Sequence, residues 1–366
     1  MSTPTPPDER LGWSAALDEA WTELDHPGRP ARVLRLDRGW NTAARSMAEV
    51  VGDDEPLRIR NIGADVAVGD WIIADESGER VEHVLPRSSA FVRRASFDGM
   101  RAVSHTLASN IDTVFLVHAL GAPPSPRRLE RELVLAYDSG ADPIVVLTKT
   151  DLVDDPEPAR FALADVALGV PVLLANGLSG EGLEAIAEYA AGNRTLAFLG
   201  ASGVGKSTIV NALLGSERQA TSSVRAGDQR GRHTTVAAEL LPLPDDGWVI
   251  DTPGVRAVSL WLSGDGIERA FADVFDLMDS CRFRDCKHDR EPGCAVKQAI
   301  ADGELDAVRL DALNRLVEEE AALEEEQRAR EKVADRRAGG RRAPEADEFG
   351  ALDERGREIV DDDLPS

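Results

Sequence analysis

Two short motifs in this chain stand in an order that most nucleotide-binding sheets do not show. Thr148, Lys149, Thr150 and Asp151 precede a glycine-rich run that begins at Gly200 and continues through Ala201, Ser202, Gly203, Val204, Gly205, Lys206, Ser207 and Thr208. In an ordinary guanine-nucleotide switch domain the glycine-rich run opens the fold, and the Lys-x-Asp element lies near its end. A chain that carries both in the reverse order enters the same sheet from a different strand. The pattern therefore predicts a circularly permuted α/β domain.

Each motif follows from the chemistry of its target. Thr195 to Leu199 is a short apolar run that predicts a buried strand, and Ser207, Ile209, Val210, Leu213 and Leu214 have helical spacing. Between strand and helix, the glycines let backbone N–H groups turn inward around phosphates; Lys206 reaches the β and γ phosphates, and Ser207 offers a hydroxyl to Mg²⁺. Val249, Ile250 and Asp251 lead into Thr252, Pro253 and Gly254, placing Asp251 to hold Mg²⁺ and the Gly254 amide to meet the γ-phosphate. Between these motifs Thr234 and Thr235 supply hydroxyls, one of which would close on Mg²⁺. Ile144 to Leu147 predicts the strand that delivers Lys149 and Asp151 to the carboxyl edge of the sheet. A carboxylate there accepts from the ring N–H and the exocyclic amine of guanine, a pair of donors adenine lacks. Thr148 stands where Asn is usual, which predicts one weakened supporting hydrogen bond. Asn176 and Gly177 stand where a Ser-Ala pair usually supports the base.

All three cysteines of the chain lie in one segment, Cys281, Cys286 and Cys294, with His288 between them. Three thiolates and one imidazole complete a tetrahedral Zn²⁺ shell with no position left for water, so the site is expected to be structural. Ala295 to Ile300 and Leu305 to Val317 carry helical spacing and predict a small helical module around it. An odd number of cysteines cannot close a disulfide set. No apolar run approaches membrane-spanning length and no leader is evident, so a cytoplasmic location is expected.

The first hundred residues have another pattern. Arg32 to Leu36, Leu57 to Arg60, Trp71 to Ala74 and Val81 to Leu85 are short, partly alternating runs that predict a small β-barrel; spacing alone does not choose between an oligonucleotide-binding barrel and others. Arg58, Arg60, Arg87, Arg93, Arg94 and Arg101 either meet phosphates or keep exposed strands soluble. The net charge of −24, from 66 acidic and 42 basic residues, opposes a simple nucleic-acid binder. Much of that excess falls after Leu316, in a helix expected to pass into a solvated tail. Residues Met1 to about Arg10 are expected to be unstructured.

In sequence these parts read barrel, permuted nucleotide domain, zinc module. The chain resembles the ribosome small-subunit-dependent GTPase A family, RsgA or YjeQ. The resemblance runs from about Arg32 to Glu320 and rests on Val68-Gly69-Asp70-Trp71 with Leu85-Pro86-Arg87, the permuted order, Gly231 to Thr235, Asp251 to Arg256, and the zinc segment ending Glu291 to Val296. It implies a multidomain chain: an extension at 1–30, an N-terminal OB-fold barrel at 31–104, a central circularly permuted P-loop GTPase at 105–258, a C-terminal α-helical zinc-binding module at 259–320 and a charged tail at 321–366. It also implies a monomer, without membrane contact, that hydrolyses GTP to GDP with Mg²⁺. Stimulation by the small ribosomal subunit and its rRNA, during late maturation, belongs to the same expectation. A nucleotide-gated RNA-binding module whose hydrolysis is incidental shares all these motifs. Val255 occupies the place of the water-orienting Gln of many GTPases, leaving His233 either to act on water or to pack its loop. The segment after Gly254 leads directly to the zinc module, giving the γ-phosphate a short covalent route there.

Overall fold

The computed structural model describes residues 5–37, 39–62, 64–75, 77–98, 101–121, 125–215, 238–251 and 264–339. Its strands are β1 (Ala31–Asp37), β2 (Trp40–Ala44), β3 (Leu57–Arg60), β4 (Trp71–Ala74), β5 (Val81–Val84), β6 (Ala90–Asp98), β7 (Arg101–Ser109), β8 (Thr113–Ala119), β9 (Asp142–Thr148), β10 (Val172–Ala175), β11 (Thr195–Gly200), β12 (Glu239–Pro242) and β13 (Trp248–Asp251). Its helices are α1 (Ala15–Leu24), α2 (Met47–Val51), α3 (Pro126–Ser139), α4 (Glu157–Ala164), α5 (Leu183–Ala187), α6 (Lys206–Leu213), α7 (Gly264–Ala270), α8 (Ala272–Met278), α9 (Ala295–Asp302) and α10 (Ala307–Gly339). The described residues fall into two compact units, divided so that those of 96–103 and of 322–339 form one and the rest form the other.

The central sheet runs β10-β9-β8-β11-β13-β12 and continues into β1-β2-β3. Strands β10, β9, β8, β11 and β13 are mutually parallel, whereas β12 runs antiparallel to β13 and to β1. The inner strands are continuous apolar runs because helices cover both faces of a parallel sheet. Phe115, Val117, Ile144, Val146, Leu196, Phe198 and Val249 pack there with Ile209 and Val210 of α6. From β8 the chain steps outward to β9 and β10, then returns to lay β11 on the other side of β8. That reversal places a ligand crevice at the carboxyl ends of β8 and β11.

The N-terminal strands hold the order β3-β2-β1-β4-β5, and a parallel bridge between Arg60 and Arg80 brings the first edge back beside the last. Ala31, Val33, Ala43, Ile59, Val66, Ile72 and Val81 fill their interior. Strand β2 lacks a clean alternation in sequence and was not among the expected runs. Asp70, fully buried, accepts from Arg87 Nε and a second Arg87 nitrogen at 2.7 Å each, from Ser109 Oγ at 2.5 Å and from the Ala67 amide at 2.7 Å. Arg87 is thus committed to an internal lock rather than to phosphate. Gly69, at φ 92°, lies so near the Ser109 carbonyl that a Cβ would stand 2.2 Å from it, so only glycine fits.

Within the stretch expected to be unstructured, Asp8 caps a single tight helical turn over Glu9–Leu11. Leu11 is fully buried, Trp21 is buried on the inner face of α1, and the Trp248 indole donates to the Arg10 carbonyl at 2.8 Å. Arg32, 2% exposed, joins these layers. It donates to the Leu11 carbonyl and, at 2.7 Å, to the Thr195 hydroxyl, with Trp71 and Trp248 against its guanidinium. Burial lowers its pKa to about 10, with Asp112 opposing.

Candidate nucleotide and metal sites

At the end of β11 the backbone turns through Gly200 (φ 147°), Gly203 (φ 78°) and Gly205 (φ 106°), conformations that L side chains resist. Gly200 is further constrained by the Val117 carbonyl, 2.5 Å from where a Cβ would sit. The loop delivers Lys206 and Ser207 to the first turn of α6, where free backbone amides and the helix dipole favour an anion. Lys206 Nζ donates to the carbonyls of Gly200 at 2.8 Å and Ala201 at 2.7 Å. Burial lowers its pKa, and the negative charge of Glu132 opposes that fall.

The inverted motifs meet at this loop. Thr148, at the carboxyl end of β9, donates its hydroxyl to the Val204 carbonyl and lies 3.3 Å from the His118 carbonyl. Lys149 follows in the left-handed region (φ 59°), turning the chain so that Asp151 faces the loop after β10. There Asn176 Nδ2 donates to Asp151 Oδ1 at 2.8 Å, while its Oδ1 accepts from the amides of Leu178 at 2.9 Å and Ser179 at 3.3 Å. Asn176 therefore orients the carboxylate expected to read the base. Gly177 lets this loop approach α6, since a Cβ would lie 3.0 Å from the Ile209 amide nitrogen. Asp251 ends β13, the parallel neighbour of β11, and so shares the carboxyl edge with Ser207. His233, Thr234, Thr235 and Gly254 lie outside the described residues.

Three polar residues beside the loop have no counterpart in the sequence reading. His118 is the next-to-last residue of β8; its Nε2 lies 2.8 Å from Glu132 Oε2 on α3, and Arg128 Nε donates to Glu132 Oε1 at 2.8 Å. Glu132 is fully buried. The sequence signal was present as three adjacent charges, Glu130-Arg131-Glu132, in a helix that also carries Leu129, Leu133 and Val134 to the core.

The cysteine segment brings all four expected ligands together. Cys281 Sγ lies 3.7 Å from His288 Nδ1 and 4.0 Å from Cys294 Sγ, and His288 Nδ1 lies 3.4 Å from Cys294 Sγ. Tetrahedral edges built on metal–sulfur bonds of about 2.3 Å and metal–nitrogen bonds of about 2.0 Å are about 3.3–3.8 Å, so the donor set fits a zinc-sized ion. With Cys286, the four ligand atoms fall within 4.8 Å of one another. His288 (φ 56°) and Gly293 (φ 77°) supply the reversals that wrap the loop. Burial raises the Cys281 thiol, but the amides of Val296 and Ala295 outweigh it and hold the group below its ordinary value. Glu291 accepts from the amides of Lys287, Asp289 and Arg290 and is lowered to about 2 by such backbone bonds, its own amide first. Cys294 caps α9, accepting from the Lys297 amide at 3.4 Å.

A second cluster, His26, Glu82 and His83, forms where a bulge makes Glu82 the extra residue of β5. The Gly28 amide donates to His26 Nδ1 at 2.9 Å, so the neutral ring carries its proton on Nε2, 3.4 Å from Glu82 Oε2. A proton in that place favours a polar pair over a cation site.

The RsgA GTPase family profile matches residues 84–261. The Streptomyces coelicolor protein named small ribosomal subunit biogenesis GTPase RsgA is 40% identical over 320 residues, covering 84% of this chain and 85% of its own length. Among solved structures, YjeQ from Thermotoga maritima superposes with a TM-score of 0.58 at 24% identity, covering 80% of this chain and 98% of that one. YloQ, described as a circularly permuted GTPase, superposes at 0.56 and 24% identity, covering 81% and 96%.

Proposed function

The chain belongs to the RsgA GTPase family, and from that premise we propose that it hydrolyses GTP while bound to the small ribosomal subunit, in the late maturation of that subunit. The observation that carries the reading is the meeting of Thr148 with Val204 and of Asp151 with Asn176. These contacts bring motifs given in inverted order together, which supports a guanine site there.

Lys149 and Asp151 hold the base, and Asn176 keeps the carboxylate turned toward it. The amides of Ala201 to Thr208 and the ammonium of Lys206 take the phosphates. Ser207, Asp251 and one of Thr234 or Thr235 provide the hard oxygen ligands that Mg²⁺ requires, and bound Mg²⁺ supplies charge neutralisation on the phosphates. Gly254 meets the γ-phosphate and His233 positions the attacking water. Cys281, Cys286, His288 and Cys294 hold one structural Zn²⁺ that fixes the fold of the helical module.

The N-terminal strands serve as an OB-type barrel at 31–104, followed by the GTPase domain at 105–258 and the zinc module at 259–320. Barrel and zinc module grip rRNA in the GTP state and let go after hydrolysis. In support, Trp40 on the solvent face of β2 lies against Arg58 and Arg60 of β3, with guanidinium carbons 5.5 and 5.3 Å from its ring centroid. A positive face with an aromatic centre suits ribonucleic acid despite the acidic whole. Among the described residues no helix is long and apolar enough to cross a membrane, in keeping with work on cytoplasmic ribosomes.

Steady-state GTP turnover with and without purified small subunits tests the proposal. A clear rise in turnover with the subunit supports it, and an unchanged rate removes the subunit from the reaction.

A further inference from the structure

We propose that α3 is a lever connecting the phosphate loop to the C-terminal helices, gripping one with Glu132 and the other with Glu130 and Arg131. The lever rests on the GTPase reading but not on the covalent route after Gly254, which lies outside the described residues.

On the nucleotide side the contacts are continuous. Thr148 donates to the Val204 carbonyl of the phosphate loop and touches the His118 carbonyl, and the His118 ring meets buried Glu132 at 2.8 Å. The Glu132 charge acts on Lys206 as well. A shift of the loop or of Lys206 onto phosphates therefore changes the field and the packing at one turn of α3.

The two residues before Glu132 face the other way. Glu130, almost fully buried, accepts from Arg315 of α10 at 2.7 Å, and Arg131 pairs with Glu319 of α10. Arg315 and Glu319 are four residues apart and hence neighbours on one helix face. The two pairs have opposite polarity, so only one register of α10 against α3 satisfies both. One turn further along, α7 crosses α3 at close range: a Cβ on Gly266 would stand 2.1 Å from Asp138 Oδ1 and 2.6 Å from the Val134 carbonyl. Arg269 of α7 lies over the Tyr137 ring at 4.6 Å. α10 in turn is tied to α8, the helix preceding the cysteine loop, by Arg309 and Asp273 at 2.9 Å. Movement of α3 is thus presented to α7 by close packing, and to α10, and through it to α8, by charge pairs that either match or break. Such discrete alternatives transmit a small shift better than a deformable apolar contact does.

Hydrogen exchange of the zinc-loaded full chain tests this, comparing amides of residues 307–319 with GDP and with a non-hydrolysable GTP analogue bound. The wild type is expected to differ between the two states by ~3-fold or more in exchange rate at these amides. Arg315→Glu, which sets like charges together, and the neutral Arg315→Met should abolish the difference while nucleotide binding persists. The exchanged pair Glu130→Arg with Arg315→Glu should restore it, which a merely stabilising contact elsewhere on α10 would not do. If Arg315→Glu fails to fold, Arg315→Met and the exchanged pair decide. Identical exchange in both nucleotide states of the wild type, or a full wild-type difference in Arg315→Met, overturns the lever. A wild type that binds neither nucleotide would instead remove the GTPase reading itself.

Discussion

The Thr148 hydroxyl donates to the Val204 carbonyl, joining the base-reading strand to the phosphate loop by a single side-chain bond. A longer Asn is usual at this place, and its absence suggested a weakened contact. The close approach of the two segments explains why the shorter side chain suffices: a Cβ on Gly205 would lie only 3.4 Å from Thr148 Oγ1. Thr148→Val keeps the shape and removes the donor, leaving a carbonyl unpaired. We expect GTP and GDP affinity to fall together by roughly fivefold to tenfold, near 1 kcal/mol, in a fluorescent-nucleotide titration. Equal affinity in the valine variant would show that the bond has no part in binding.

Asp151 and Asn176 divide their work differently. Asp151→Asn removes the carboxylate proposed to accept from guanine, so preference for GTP over ATP should fall by roughly 100-fold. Asn176→Ala leaves that carboxylate in place but frees it to turn, and it also loosens the loop at Leu178 and Ser179. Both guanine nucleotides should then bind several-fold more weakly with the preference over ATP largely kept. Competition of unlabelled ATP and GTP for one site separates the two outcomes.

Arg32 predicts a stability effect remote from the nucleotide. Its guanidinium satisfies the Leu11 carbonyl and the Thr195 hydroxyl at the root of the phosphate-loop strand. Arg32→Ala leaves those groups and a cavity between Trp71 and Trp248, and should cost about 3 kcal/mol, read as a lower midpoint in thermal or urea unfolding. Arg32→Met, which refills the space, should recover part of the loss. A midpoint unchanged in the alanine variant would remove this junction from the stability of the fold.

What was legible in the sequence follows from physics that acts locally. Glycine spacing before Lys206 reports a backbone conformation, continuous apolar runs report strands buried on both faces, and the Cys and His spacing reports four donor atoms gathered at one place. Strand β2 was missed because Trp40 and Thr42 face solvent while Asn41 is buried, which erases the alternation. Arg87 stood open between a phosphate contact and a solubilising surface charge, because its partner Asp70 is brought to it only when the N-terminal strands fold. The side chains of Arg93, Arg94 and Arg101 lie outside the described residues. His118 and Glu132 come from a strand and a helix whose contact is tertiary, and no spacing rule announces such a pair. The turn at Glu9–Leu11 was hidden by the Pro and Thr content of the residues before it.

Removing the metal should separate the zinc module from the nucleotide site. Native protein is expected to carry one Zn²⁺ per chain. Chelation, or Cys286→Ser, should lower helical content and raise protease sensitivity after residue 281, because binding energy in such a loop is folding energy. Nucleotide binding should persist, since the phosphate loop lies on β11 and α6, supported by the sheet core. Association with the small subunit should weaken at least tenfold in sedimentation. Metal analysis finding no zinc, or full subunit binding by the Cys286→Ser chain, would oppose the assignment.

The last prediction concerns water. Val255 follows Gly254 where many GTPases carry a Gln, and a valine side chain neither donates nor accepts a hydrogen bond. Intrinsic turnover should therefore be slow, on the order of the ~10⁻⁴ s⁻¹ of an unassisted switch GTPase. His233 adjoins the threonines proposed for Mg²⁺, and an imidazole can orient water or take its proton near neutral pH. If the small subunit accelerates the reaction by placing this loop, the acceleration depends on the ring while binding does not. His233→Ala should keep GTP and subunit affinity within about twofold yet lose ~100-fold of the stimulated rate, the size usual for a general base. His233→Gln, able to orient water but not to accept its proton at neutral pH, distinguishes the two roles: recovery of much of the rate assigns orientation, and no recovery assigns proton transfer. An alanine variant stimulated as strongly as the wild type would show that water is activated by another group.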